Sequence, residues 1–350
     1  MSLPIVRTDL PRLTEEEIRP IYEFQRRMDR ERSPDDPKLP FEQMVASIRN
    51  IPAFVEVFAF LVREGDGTVV ASADFAFLKT PENQHMGQFG ISVLPPYRRR
   101  GIGRRLLNEI VTTAERHERR LMITNATDRI PAGARFLERI GARIGLETHV
   151  NQLKFEDLNR GLLRRWLEEH VSEGFTLGFW SGPYPEENLE EMVALNELFN
   201  HVPRGDLDME DFRFTAEQIR QQEASMTARG VERWTCFVRD NANGKIAGIT
   251  EMLWNPHRPT HIHQGITAVW PEYRGKGLGR WLKAEMLEKV LRERPAVTLV
   301  RTENADVNAP MLKINTELGF RPYRAEYVWQ IETARARAYL NGTEGGEAAS

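Results

Sequence analysis

The chain has 350 residues, 41% of them apolar and 28% charged, with 48 basic against 51 acidic side chains and a formal charge of −3. That length suits two domains better than one, the composition is that of an ordinary globular protein, and the balanced charge supplies no general basic field for nucleic acid. Cys236 is the only cysteine, which excludes an intrachain disulfide and a cysteine zinc site, and no apolar run reaches the roughly 18–20 residues needed to span a membrane. The opening residues lack the basic-plus-apolar pattern of a secretion signal. The expected setting is therefore the cytoplasm, with no nucleic acid and no membrane as partner, and with monomer and homodimer both open.

In chain order, residues 5–9 read as a first strand. Thr14 with Glu17 three residues later forms a helix-start signature, so a helix is expected from there to about residue 32. Three prolines mark 33–40 as a loop, and 41–50 has the pattern of a short helix. Strands at 54–62 and 68–78 flank the hairpin signal Glu64-Gly-Asp-Gly67, and a strand at 85–93 follows. Ile102, Leu106, Ile110 and Val111 share one face of a helix over 101–119. A strand at 121–124, a helix at 132–140 and a strand at 142–153 complete the first half.

A charged connector is expected at 154–174. The order then repeats: strand 175–179, helices 186–200 and 215–229, strands 234–239 and 245–254 around Asp240-Asn-Ala-Asn-Gly244, and strand 262–269. A helix at 277–292, a strand at 297–301, a helix at 309–318 and strands at 321–331 follow. The tail from 341 is rich in Gly, Glu and Ala, the composition of a disordered end. Hairpins followed by strand–helix–strand crossovers imply a mixed sheet in each half.

One stretch occurs twice. Val93-Leu-Pro-Pro-Tyr-Arg-Arg-Arg-Gly-Ile-Gly-Arg-Arg-Leu-Leu107 and Val269-Trp-Pro-Glu-Tyr-Arg-Gly-Lys-Gly-Leu-Gly-Arg-Trp-Leu-Lys283 align without a gap, 176 residues apart, with eight of fifteen positions identical. A period this long marks a duplicated domain. Each copy reads as strand end, tight turn and helix start, which aims several backbone N–H groups and the positive end of a helix dipole at one point. That is an anion site, most naturally for a phosphate or pyrophosphate. The second copy lacks the Gly-Lys-Ser/Thr ending of a nucleotide P-loop, and its spacing is not that of a dinucleotide fingerprint.

Arg98-Arg-Arg-Gly-Ile-Gly103 and Arg274-Gly-Lys-Gly-Leu-Gly279, the Val-x-Pro-x-Tyr-Arg lead-in, and the later Glu317-Leu-Gly-Phe320 together resemble the GCN5-related N-acetyltransferases (GNAT) in their tandem, two-domain form. A weaker Arg139-Ile-Gly-Ala142 stands at the matching place in the first half. The resemblance implies an α/β (α+β) fold of two GNAT-like domains. Each would be a mixed, mostly antiparallel twisted sheet flanked by helices, with its central parallel strands splayed. The domains are expected at 1–153 and 175–332, with 154–174 as connector and 333–350 as tail.

The resemblance also implies acetyl-CoA as cofactor, held by Arg274, Gly275, Lys276, Gly277, Leu278, Gly279 and Arg280, and in the first half by Arg98, Arg99, Arg100, Gly101, Ile102, Gly103 and Arg104. Its pantetheine arm would pair with strand backbone around Thr267 to Val269, or Ile91 to Val93. Asn308, with Asn304 nearby, would bond its amide, where the first half has Ile130 with only Asn125 and Asp128 close in sequence.

The reaction implied is direct attack by the primary amine of a small molecule on the thioester, which needs a base. His263 lies six residues before Val269, where the first half has Gly87, and Glu251 on the preceding strand is a second candidate. Either is alternatively an ordinary strand residue, and His261 with His263 lacks a third ligand for a metal site. The family's acidic Tyr is replaced by Asn315, able only to hydrogen-bond the sulfur or the pantetheine, and by Leu137, so the acid is water, another residue such as Tyr323, or absent. Aromatics at Trp180, Tyr184 and Trp254 are expected near a cleft mouth, and the acidic run 206–211 is a candidate for attracting a cationic amine; packing or a solvated loop is the alternative for each. The second half keeps more of the apparatus and is expected to be catalytic. The alternative is a coenzyme A sensor or scaffold without transferase activity.

Overall fold

The computed structural model describes residues 3–169 and 173–342. Its strands are β1 (Ile5–Thr8), β2 (Val55–Arg63), β3 (Val69–Leu78), β4 (Met86–Val93), β5 (Leu121–Thr127), β6 (Arg143–Lys154), β7 (Phe175–Ser181), β8 (Glu232–Asp240), β9 (Ile246–Trp254), β10 (His261–Val269), β11 (Leu299–Ala305) and β12 (Arg321–Glu332). Its helices are α1 (Glu15–Arg32), α2 (Phe41–Arg49), α3 (Ile102–Arg116), α4 (Pro131–Arg139), α5 (Arg160–Glu168), α6 (Leu189–Leu195), α7 (Ala216–Ala228), α8 (Leu278–Glu293), α9 (Ala309–Leu318) and α10 (Thr333–Asn341). The cap at Thr14 forms as the sequence implies, with Glu17 reaching back to the Thr14 amide at 2.8 Å. The helix expected at 186–200 is regular only in α6, with short 3-10 turns on either side.

The chain makes two compact units. Unit 1 takes residues up to 147, 204–211 and from 325 on; unit 2 takes 148–203 and 212–324. These differ from the consecutive blocks that the repeat suggested, because backbone pairing assigns the ends. The Glu326 to Glu332 part of β12 pairs antiparallel with β5, while Thr148 to Lys154 of β6 pairs antiparallel with β11. The connector is not a linker either: α5 buries Leu163 and Trp166 in the core of unit 2. The start of the tail is ordered as α10, whose Arg337 donates to Glu115, Asn108 and Thr112 on α3. Residues 343–350 lie outside the described residues, as do 170–172 of the connector.

Unit 1 has the strand order β1-β2-β3-β4-β5-β12 and a core led by Phe24, Phe75, Leu106, Leu107 and Ile110. In unit 2 the order is β7-β8-β9-β10-β11-β6. Its α8 face is filled by Trp234, Met252, Leu282 and Leu287, and its α6–α7 face by Leu189, Met192, Ile219 and Ile249. Each sheet has one parallel pair, β4 with β5 and β10 with β11; the other pairings are antiparallel.

Both parallel pairs are short. β4 follows β5 only from Met86 to Gln88, and β10 follows β11 only from His261 to Gln264. Beyond those points the strands run on unpaired with each other, so each sheet opens into a V that leads to its repeated turn. One feature is not shared: β10 carries a bulge between Gln264 and Thr267, whereas β4 pairs with β3 in unbroken register. Such a bulge inserts one residue and re-aims the strand.

Candidate active site

The turn after β10 is built for close approach to its backbone. Gly275 and Gly277 adopt left-handed φ of 79° and 78°, which a side chain at Cβ disfavours, and a Cβ at either would meet open space. Gly277 starts α8 without a side-chain cap, and the amides of residues 275–279 have no protein partner among the described residues. Arg274 braces the turn by donating Nε to the Val269 carbonyl at 3.2 Å. Leu278 is buried in the core, so only its backbone faces the turn. Lys276 lies over the rings of Phe175 and Tyr273 at 5.4 and 5.3 Å, and Arg280 over Trp166 at 5.6 Å. A Cβ on Gly279 would sit 4.0 Å from the Val269 side chain.

The turn after β4 has the same frame. Gly101 is left-handed at 78° and starts α3 uncapped, Ile102 is buried, and a Cβ on Gly103 would sit 3.6 Å from Phe136. Arg98 donates Nε to the Val93 carbonyl at 2.9 Å and pairs with Glu31. Arg100 lies over Tyr97, and Arg104 donates to the Leu340 carbonyl. Arg99, however, is an L-residue at φ 63° where the second copy has Gly275.

In unit 2 the V is lined by a buried hydrogen-bonded network. Gln264, at its vertex, donates Nε2 to the Thr250 and Thr267 hydroxyls at 3.0 and 3.2 Å, and those hydroxyls are 2.7 Å apart. Lys283 on α8, only 1% exposed, donates Nζ to Gln264 Oε1 at 2.8 Å and to Asn315 Oδ1 at 2.7 Å. Asn315 in turn donates to Asn304 Oδ1 at 2.7 Å, and Asn151 joins at 3.4 Å. Burial alone pushes the Lys283 ammonium down to about 7. Asn308 stands at the start of α9 without a side-chain cap bond. Tyr323 lies under the Arg301 guanidinium, 4.0 Å away.

The opposite face of β9 and β10 carries the candidate bases. Glu251 Oε1 accepts from Tyr184 Oη at 2.6 Å and Thr235 Oγ1 at 2.8 Å, and Oε2 has no protein partner among the described residues. Burial first, and then the Glu251 charge, push the Tyr184 hydroxyl far above the ordinary phenol range, so it stays a donor to Glu251. Arg233 stacks on the Tyr184 ring at 3.5 Å and, with Arg220, surrounds the buried Glu223. Removing one partner from such a buried group costs about 3–5 kcal/mol, so this cluster fixes the wall behind Glu251. By strand alternation His263 shares this face. Its ring is solvent-exposed although its strand is paired on both sides there, at Leu253 and Arg301, and desolvation by the surrounding protein lowers its pKa below the ordinary imidazole value. Thr260 holds the neighbouring His261 at Nδ1.

The bulge corrects one sequence alignment. Ala71 and Gly248 face the last strand residues Val93 and Val269; five residues on, Ala76 faces Gln88 and Leu253 faces His263. The counterpart of His263 is therefore Gln88, not Gly87. Gly87 instead makes room for Phe75, whose ring would lie 2.3 Å from a Cβ there. The same count makes Asp74 the counterpart of Glu251. The acidic run is also accounted for elsewhere: Asp208 pairs with Arg120, Asp211 with Arg204, and Glu210 holds the Asn83 amide, with all six of these residues in unit 1. Trp180 packs on Phe237 and Trp254 under Arg294, while Tyr184 alone of these aromatics reaches the site.

A sequence model of the acetyltransferase (GNAT) family matches residues 17–142 and again 193–320. The chain belongs to that family. It is an N-acetyltransferase with two GNAT domains. Mycothiol acetyltransferase of Saccharomonospora viridis is 27% identical over 264 residues, 73% of this chain and 78% of its own. A tandem GNAT protein from the clavulanic acid biosynthesis pathway is 26% identical and superposes at a TM-score of 0.78, over 95% of this chain and 99% of its own. A GCN5-related N-acetyltransferase from Sphaerobacter thermophilus shares the fold at 15% identity, with a TM-score of 0.67 over 95% and 97% of the two chains. GNAT enzymes use acetyl-CoA as co-substrate. Among the described residues no helix is long and apolar enough to cross a membrane.

Reasoning from sequence missed Lys283, Gln264, Thr250 and the Tyr184–Arg233–Glu223 cluster. A signal existed for the first: Lys283 takes the place of Leu107 in the repeat, on the buried face of an amphipathic helix.

Proposed function

We propose that this GNAT protein transfers acetyl from acetyl-CoA to a primary amine of a small molecule, and that unit 2 performs the transfer. The supporting observation is the continuity of three features: a face of β9 and β10 bearing Glu251 and His263, an edge of β10 freed beyond Gln264, and the uncapped glycine turn that follows. An extended ligand ending in phosphates fits the last two. The amides of residues 275–279 would hold the pyrophosphate with Lys276 adding charge, and the backbone from Thr267 to Val269 would pair with the pantetheine. Asn308 and Asn304 would bond its amides. Arg274 and Arg280 shape the turn.

A backbone N–H on the freed edge would hold the oxyanion as the amine attacks. Glu251 Oε2 would take the amine proton; His263, whose pKa the surrounding protein lowers, is the second acceptor on that face. Asn315 cannot supply a transferable proton and positions its neighbours. In unit 1 the turn from Arg98 to Arg104 would hold a second coenzyme A against Val93, with no base matching His263. The test is release of free thiol from acetyl-CoA across a panel of amines. Gly277→Asp, which sets a negative charge against the pyrophosphate, should abolish amine-dependent release. Unchanged turnover would move the chemistry to unit 1, and coenzyme A binding without any amine-dependent release would leave a sensor.

A further inference from the structure

Thioester aminolysis expels a thiolate, and the site described so far supplies no proton for it. The position of Lys283 does. Its Nζ sits beside the vertex of the V, bonded to the side chain of Gln264, the last residue of the parallel ladder. The ammonium has three N–H groups. Two go to the neutral acceptors Gln264 and Asn315, and the third has no acceptor among the described residues. Among the described residues no counter-charge faces it. Thr250 on β9, Gln264 and Thr267 on β10, Thr302 and Asn304 on β11, Asn151 on β6 and Asn315 on α9 are the polar residues packed here, and all are neutral. Glu285 and Lys289, further along α8, face Cys236 instead. A fully buried cation without an anion is costly to keep unless an anion arrives during turnover.

We infer that Lys283 is the proton donor to the departing thiolate of coenzyme A. This rests on the reading of unit 2 as the transferase. As the C–N bond forms, Glu251 or His263 takes the proton from the amine. As the C–S bond breaks, its electron pair goes to sulfur, and a proton passes from Nζ to sulfur to give the thiol. Lys283 is left as a neutral amine, hydrogen-bonded to Asn315, and takes its proton back from water as products leave. Burial that brings the ammonium to about 7 suits this cycle near neutral pH. Asn315 is a positioning residue here, one that holds Nζ without competing for its charge.

The test uses the full chain with coenzyme A itself as probe, and follows thiolate absorbance of the complex against pH. With Lys283 present, the thiol bound in unit 2 should ionise at least one pH unit below free coenzyme A, because an ammonium beside it favours the thiolate. Lys283→Met should abolish that shift while retaining coenzyme A affinity within about threefold. It should also cut amine-dependent kcat by about 10²–10³-fold and remove the alkaline limb of the kcat profile, as loss of a general acid does. If Met disturbs folding, Lys283→Leu with Asn315→Leu reproduces the Leu107 and Leu137 pair that unit 1 already accommodates. An unshifted thiol in the parent chain, or one equally shifted in the variants, overturns the proposal. Gly277→Asp separates the two levels: if it leaves turnover intact, the reading of unit 2 fails and this proposal with it. If it abolishes turnover while Lys283→Met keeps the alkaline limb, only the proton donor is wrong.

Discussion

The two units carry one framework with opposite interiors at the V. Ala73, Phe89, Ile91, Leu107 and Leu137 line it in unit 1; at the matching places in unit 2 stand Thr250, Gln264, Thr267, Lys283 and Asn315. Unit 1 therefore shows that the fold closes well around apolar side chains here. The polar set in unit 2 costs stability that the architecture does not require, which points to a use outside folding. The bulge in β10 belongs to the same asymmetry, since it falls where the strand leaves its parallel partner.

The largest effects should come from breaking the asymmetry at the turn. Gly277→Asp should lower amine-dependent thiol release by 10³-fold or more, read by steady-state kinetics, because a carboxylate would face bound phosphate at an uncapped helix start. Next is the carboxylate pair. Glu251→Gln should lower kcat by about 10²-fold, the ordinary scale for losing a general base, and leave acetyl-CoA affinity unchanged. Asp74→Asn, at the matching place in unit 1, should leave kcat within about twofold. Burial raises the Asp74 pKa, opposed by Arg32, but unit 1 has Gln88 at the place of His263 and an apolar lining where unit 2 has the Lys283 network. Equal losses in both variants would make the units equivalent and remove the comparison.

A third effect concerns stability and its pH dependence. Replacing Lys283 and Asn315 by Leu should stabilise the protein at pH 7. A displacement of the ammonium from 10.5 to about 7 corresponds to roughly 4–5 kcal/mol. Lost hydrogen bonds at Gln264 and Asn304 offset part of this, leaving a gain of about 1–3 kcal/mol. The sign follows from the folded pKa lying below the unfolded one. Between about pH 7 and 10.5 the unfolded chain holds a proton that the folded chain does not, so parent stability rises with pH across that window. Below it the penalty is complete. The advantage of the double variant should thus be greatest at pH 7 and shrink toward pH 10, as measured by denaturant unfolding. A gap constant with pH would mean that Lys283 is not the titrating group.

The parts of this arrangement that follow local rules were legible in the sequence. The glycines of both turns, the cap at Thr14 and the hairpins at 64–67 and 240–244 depend on neighbours a few residues away. What escaped depends on partners distant in the chain. The assignment of β12 from Ala325 onward to unit 1 is decided by pairing with β5, about two hundred residues earlier. The acidic run at 206–211 reads as a solvated loop until Arg120 and Asn83 meet it. A one-residue bulge cannot be counted from sequence, so Gly87 stood in for Gln88. Lys283 was hidden because a lysine on a helix is ordinarily solvent-exposed; only the Leu107 of the other copy marks its face as buried.

The smallest effect tests whether the turns themselves have diverged. Arg99 holds φ 63° where Gly275 holds 79°. A left-handed L-residue costs roughly 1–2 kcal/mol, and a glycine returns roughly 0.5–1 kcal/mol of that through greater freedom in the unfolded chain. Arg99→Gly should therefore stabilise the protein by about 0.5 kcal/mol, and Gly275→Ala should destabilise it by about 1 kcal/mol, both measured by denaturant unfolding. The Gly275 site is not crowded: a Cβ there meets nothing within 4 Å, so no packing clash adds to backbone strain and unfolded-chain freedom. If unit 1 tolerates strain that its turn does not need, the guanidinium of Arg99 is retained for charge. Coenzyme A binding to Arg99→Gly should then weaken in unit 1 alone and do so less at high salt, as expected for a solvent-exposed cation facing phosphate. Binding that is unaffected at low salt would assign Arg99 no part in holding the ligand.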